Sequence, residues 1–280
     1  MRKEKIREND FNESERPSTR LAQFFDIFKH RFLEIFKLSF LQTIFAMPLA
    51  VSMILFYWLL NYSTNINAMF TVFLTIGASA LITCPSLFVG LTGVFYCIKK
   101  IAYAEGEYAS SSFFIGLREE WKKGILIGVL QGFSLFIAVF GFFFAYFYLP
   151  EISTALSGFA ITILIVQLIV VTILCYYSVA QIVIYKNKLR FILKNSFIFT
   201  LIRFPFNLIF FIIHPGIILA LFSIMEITMY VGVGFLLFLS SFGHLIWCLN
   251  AISAFDKYIN KENYPDFYRK GLNKLVIKED

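Results

Sequence analysis

Gln131, Gln167, Gln181, His214, His244 and Asn250 stand inside long apolar runs of this sequence. Amide and imidazole groups offer hydrogen-bond donors and acceptors without formal charge, the chemistry that would line a path for an uncharged, hydroxyl-rich solute. Gln131, Gln167, His214 and His244 form the candidate lining. The plainer alternative makes His214 and His244 buried structural histidines, each bonded to a neighbour. No Asp, Glu, Lys or Arg falls in the middle of these runs. That argues against an ion- or proton-coupled carrier, which commonly buries a charged side chain in mid-membrane.

A second cluster lies between two of the runs, in AEGEYASSSFFIGLREEWKKG, where Glu105, Glu107, Glu119 and Glu120 stand among Arg118, Lys122 and Lys123. Paired carboxylates do acid–base work only where their surroundings drive their pKa values apart, and an exposed loop rich in cations does not do so. From Ser110 the segment reads as an interfacial helix. Ser110 to Ser112 cap its start, Phe113, Phe114, Leu117 and Trp121 form an apolar stripe, and Arg118, Glu119, Lys122 and Lys123 take the other face. Phe113, Phe114, Arg118, Trp121, Lys122 and Lys123 are therefore a candidate docking surface.

Cys84, Cys97, Cys175 and Cys248 lie in or at the ends of apolar runs, with no Cys-x-x-Cys pair and no His or carboxylate at ligand spacing, so they read as small hydrophobes. No Gly-x-Ser-x-Gly, His-Glu-x-x-His, phosphate-binding loop or nucleotide fingerprint occurs. The expectation is a protein that is not an enzyme and needs neither cofactor nor metal.

The elements that must hold these residues follow from composition. With 59% hydrophobic and 15% charged residues among 280, the chain has more apolar surface than one soluble core of this size can bury. A hydrocarbon layer needs roughly 20 apolar residues per helix. Six such spans are expected, near Phe40–Leu60, Met69–Ile98, Gly124–Leu149, Ala155–Tyr185, Asn207–Met225 and Thr228–Ile252. Pro85 offers a break in the second, and the sequence His214-Pro215-Gly216 one in the fifth. The fold class is thus all-α, a polytopic transmembrane bundle with amphipathic interfacial helices.

Orientation follows from lysine and arginine. Nine precede the first span, five lie between Lys99 and Lys123, five between Lys186 and Arg203, and six follow the last span, which accounts for all 25. The three other connections hold none, so both termini are expected in the cytoplasm. The net charge of +7 is explained by this topology, with anionic lipid headgroups as the counterpart and no nucleic acid. Residues 1–17 read as disordered and polar, 18–37 as an interfacial amphipathic helix, 38–254 as the six-span domain and 255–280 as a cytoplasmic tail. In the helix, Leu21, Phe24, Phe25, Phe28, Phe32, Ile35 and Phe36 share one side, with Arg20, Asp26, Lys29 and Arg31 opposite. No cleavable signal peptide is expected, since no apolar stretch precedes the first span.

Gly124, Gly128 and Gly132 recur every four residues, and Ser134, Ala138, Gly141 and Ala145 continue the seam. Small residues at this spacing let helix backbones approach closely in lipid. The third span is therefore expected at the centre of the packing.

RFLEIFKLSFLQTIFAMP resembles the entry helix and first span of the YesL-like bacterial membrane proteins. Cys84 to Gly124, CPSLFVGLTGVFYCIKKIAYAEGEYASSSFFIGLREEWKKG, resembles their most recognisable block, and Tyr177 to Pro205 is similar to their second cytoplasmic connection. The family is a domain of unknown function whose members often sit beside carbohydrate ABC transporters and glycan-degrading enzymes. The resemblance implies a bacterial plasma-membrane protein, an accessory or assembly factor for carbohydrate uptake or glycan utilisation, with an ABC transporter or other membrane protein as partner. The alternative is a permease-like subunit for an uncharged hydroxyl-rich solute, with Ala104 to Gly124 as its coupling loop. That loop lacks the Leu-Pro ending of importer permeases.

Overall fold

The computed structural model describes residues 16–105, 109–185, 187–218, 220 and 226–273, and every regular element among them is helical. Residues 1–15 of the expected disordered segment 1–17, Glu107, the divide between the fifth and sixth spans at 221–225, and residues 274–280 of the tail lie outside the described residues. Helix α1 is Arg20–His30, α2 Phe32–Tyr62, α3 Ile66–Ala102, α4 Ala109–Phe147, α5 Leu149–Ile152 and α6 Thr154–Ile184. Then follow α7 Leu189–Ile202, α8 Phe204–Phe211 with a π-helical turn at Ile212–Gly216, α9 Glu226–Phe238, and α10 Ser240–Phe255 with a second π-helical turn at Asp256–Asn260.

Four helices are long and apolar enough to cross a bilayer, and six spans result if each of two bent helix pairs counts as one. Two of the turns between the first four are set by local chemistry. The Asn65 side chain accepts from the Ala68 N–H at 2.8 Å to start α3, and Ser153 caps α6 through Leu156. Large apolar side chains such as Ile44, Trp58, Ile82 and Phe159 stay exposed along the spans, as a lipid solvent permits.

Four expectations change. First, the interfacial helix expected from Ser110 and the third span are one unbroken helix, α4. At about 1.5 Å per residue its 39 residues reach roughly 58 Å, well beyond a hydrocarbon layer of about 30 Å. The overhang leans on the end of α3, where glycines receive aromatic rings reciprocally. A Cβ on Gly116 would stand 2.3 Å from the Tyr96 Cβ, and one on Gly93 would stand 2.8 Å from the Phe113 ring. Second, the helix expected over 18–37 divides at Arg31. Only α1 is separate, and Phe32 to Lys37 open α2. Its inward face is Arg20, Gln23 and Ile27, while Leu21, Phe25 and Phe28 are exposed, so Arg20 sits on the opposite side from the one its charge suggests.

Third, part of the expected connection Lys186–Arg203 is a helix, α7, which meets the segment Phe204–Gly216 at 92°. Fourth, neither proline breaks its helix. Pro85 is carried inside α3, and Pro215 sits in the π-helical turn, where the wider winding absorbs the missing N–H. A further bend of 56° separates α9 from α10 at Leu239. The best-buried core joins α3, α6 and α10 around Phe95, Tyr177, Trp247 and Phe255.

Candidate functional site

The four candidate lining residues fall into two separate groups. Gln131 of α4 donates to the Thr172 hydroxyl of α6 at 3.1 Å, and Gln167 of α6 donates to the Ser134 hydroxyl of α4 at 2.6 Å. Both are rungs between the same two helices. His214, in the first π-helical turn, meets His244 of α10 with ring centroids 4.6 Å apart and rings nearly perpendicular. The Tyr176 hydroxyl lies 3.5 Å from His214 Nδ1, and the Tyr176 ring stacks on Trp247 at 4.9 Å. Gly243 makes this meeting sterically feasible, since a Cβ there would stand 1.8 Å from His214 Cδ2. The four candidate lining residues thus serve two helix contacts, α4 with α6 and α8 with α10. Among the described residues, no three His, Cys, Asp or Glu side chains come together as metal ligands would.

Gln181 and Asn250 belong to neither group. Asn250 joins a hub in which the Tyr177 hydroxyl donates to Asn207 Oδ1 at 2.8 Å and the Asn250 amide donates to both residues at 3.3 Å. Asn207 donates in turn to the carbonyls of Phe199 and Thr200. Arg203, at the 92° bend, donates to the Asn250 carbonyl at 3.1 Å. The hub therefore holds the corner between α7 and α8 against α6 and α10.

The candidate docking residues divide as well. Phe113 is fully buried, with its ring 6.0 Å from Phe45 of α2. Phe114 is 57% exposed and Trp121 43% exposed, and Arg118 and Lys122 are exposed beside them. At positions i, i+4, i+7 and i+8 these four share one face of α4. The Lys122 ammonium lies 5.6 Å from the Trp121 ring, and Lys123 pairs with Glu120 at 2.8 Å. Below them Gly124, Gly128 and Gly132 lie directly on the backbone of α3, where Cβ atoms would approach Val89, Pro85 and Ala80 or Leu81 to 3.3 Å or less.

A third constellation at this end was not anticipated. Arg20 donates to Asp256 Oδ2 through Nε at 3.2 Å and through Nη2 at 2.8 Å, and through Nη1 to Gln23 Oε1 at 2.8 Å. Gln23 donates to the Ala102 carbonyl at 2.7 Å. The other carboxylate oxygen of Asp256 accepts from Asn260 at 2.8 Å and from the Arg269 N–H at 3.2 Å. Asn260 also receives a short hydrogen bond from the Tyr185 hydroxyl. The Asn273 N–H donates to the Pro17 carbonyl at 3.0 Å, and Lys270 pairs with Glu105 at 2.7 Å. Burial pushes the Tyr103 phenol beside this cluster well above its ordinary pKa, against the opposing pull of Arg20. In the sequence Asp256 reads only as the start of a polar tail. The one signal is Gly271, whose φ of 80° brings it against the Ala102 carbonyl, and a glycine in a tail does not announce that role.

The site therefore offers rigid presentation and hydrogen-bonded closure around a charged end of the bundle. No protein-family model matches the chain, and neither a curated protein nor a solved structure matches it.

Proposed function

We propose that the chain is a non-catalytic accessory or assembly factor in a bacterial plasma membrane, with both termini cytoplasmic, acting beside an ABC-type transporter in carbohydrate uptake or glycan utilisation. The carrying observation is the exposed face Phe114, Arg118, Trp121 and Lys122, held on a helix end whose other side, Phe113 and Gly116, is locked onto α3. Exposed aromatic and cationic side chains carried on an anchored backbone are suited to docking a partner, since no ordering of the backbone opposes binding. The orientation rests on the segregation of lysine and arginine, and anionic headgroups complement those residues. The carbohydrate context rests on the YesL-like resemblance. The reading as a pore for a hydroxyl-rich solute loses support because Gln131 and Gln167 bond across α4 and α6 while His214 and His244 meet elsewhere.

Purification of the tagged full chain from native membranes in mild detergent, with mass spectrometry of the eluate, tests this. A transporter subunit in near-stoichiometric amount is expected, and it is lost when Arg118→Glu and Lys122→Glu are combined. Recovery of this chain alone, or a partner retained through the charge reversal, overturns the proposal.

A further inference from the structure

The carboxyl end of α6, helix α7 and the π-helical turn after α10 border an open pocket of about 470 Å3. That volume is within the range of small-ligand sites. Its lining divides by chemistry. Phe191, Ile198 and Ile202 form an apolar side, and all three are exposed. Asn195 lies on the same face of α7 as these three, and Gln181 of α6 and Tyr258 of the π-helical turn add to the polar part of the lining. The described lining contains no Lys, Arg, Asp or Glu.

Two amides there are short of partners. Gln181 is fully buried, and its Nε2 donates to the Ser196 hydroxyl at 2.7 Å and to the Ile192 carbonyl at 3.3 Å. Its Oε1 is buried with no donor. The half-buried side chain of Asn195 makes no hydrogen bond among the described residues. A buried amide oxygen left without a donor is unfavourable unless something supplies an O–H or N–H.

We propose that this pocket binds a membrane lipid with an uncharged, hydroxyl-rich headgroup. The acyl chain lies over Phe191, Ile198 and Ile202, and the headgroup hydroxyls meet Gln181, Asn195 and Tyr258. The 92° corner supports this placement, because a helix perpendicular to a crossing segment lies along the membrane surface, where chain and headgroup meet. A free sugar would leave the apolar side facing water. An anionic phosphate would find no cation in the described lining, since Lys188, Arg190 and Lys194 are exposed and outside it.

The test is native mass spectrometry of the full chain, purified in a polyoxyethylene detergent so that no detergent sugar competes. Monoglucosyl dioleoylglycerol, dioleoylphosphatidylglycerol and dioleoylphosphatidylcholine are offered at equal concentration, with free glucose in a separate arm. The glucosyl lipid adduct is expected to be at least tenfold more abundant than the phosphatidylcholine adduct. It should fall to the phosphatidylcholine level in Asn195→Leu, and equally in Ile198→Trp, which fills the apolar side and spares the amides. Lys194→Gln should leave it unchanged. Equal adducts for the three lipids, preference for phosphatidylglycerol, or binding of free glucose without lipid would each overturn the proposal. So would a glucosyl preference that survives both pocket variants. Should Asn195→Leu elute as aggregate, the wild-type ranking and Ile198→Trp still decide.

Discussion

Helices α3 and α4 lie against each other along nearly their whole length, whereas the chain from α7 to α10 turns through 92° and then 56°. The first region is held by the absence of side chains. Gly77, Gly93, Gly116, Gly124, Gly128 and Gly132 remove the atoms that would separate two backbones or keep a ring off one. The second is held by directed polar groups: the Asn207–Tyr177–Asn250 hub, Arg203 on the Asn250 carbonyl, and Arg20 on Asp256. Straight helices satisfy their own backbone groups and need only close contact. A corner frees carbonyls and N–H groups, and these must find partners inside the protein.

Breaking the polar side should cost most. Arg20 and Asp256 expose only 7% and 11% of their side chains, so Arg20→Met, which leaves the carboxylate buried without its counter-ion, is expected to destabilise by about 3–5 kcal/mol. Arg20→Met with Asp256→Met should recover most of that loss, because no unpaired charge remains. Thermal unfolding in detergent reads both, and a double variant no better than the single would refute the ion-pair account. On the close-contact side, Gly128→Val is expected to cost about 1–3 kcal/mol, since even its Cβ would stand 2.4 Å from the Pro85 Cα. Gly158→Ala, with nothing within 4 Å of the new methyl, should leave the midpoint unchanged or raise it. Equal losses at the two glycines would remove the distinction. The smallest effect is expected for Gln131→Leu and Gln167→Leu, about 0.6 kcal/mol each, the usual worth of a hydrogen bond between membrane helices. A much larger loss would make these rungs as important as the corner hub.

The same comparison explains what could be read from the residues alone. Uncharged runs point to the first four long helices, but α2 begins eight residues and α4 fifteen residues before the expected spans, because hydrocarbon thickness sets the length of an apolar run and not where its helix starts. The glycine spacing in α4 likewise points to a close neighbour, and that neighbour is α3. Arg20 misled because amphipathic pattern assigns charge to water, while its carboxylate lies on a distant element that pattern does not pair with it. Phe113 misled similarly. Its place on an apolar stripe is visible, but the Gly93 that receives it belongs to another helix. His214 and His244 are 30 positions apart, and their meeting depends on a π-helical turn and on Gly243, which no periodicity predicts.

The pairing of Arg20 with Asp256 also has a meaning in time. The two residues are separated by 236 positions, so at about 5–20 residues per second roughly 10–50 s of synthesis pass between them. Throughout that interval the guanidinium lacks its carboxylate and has Gln23 as the partner already made, and the docking of α1 through Arg20 waits for the chain that follows α10. The carboxylate arrives last and draws α1 inward, so the earliest helix to be made is among the last to be seated.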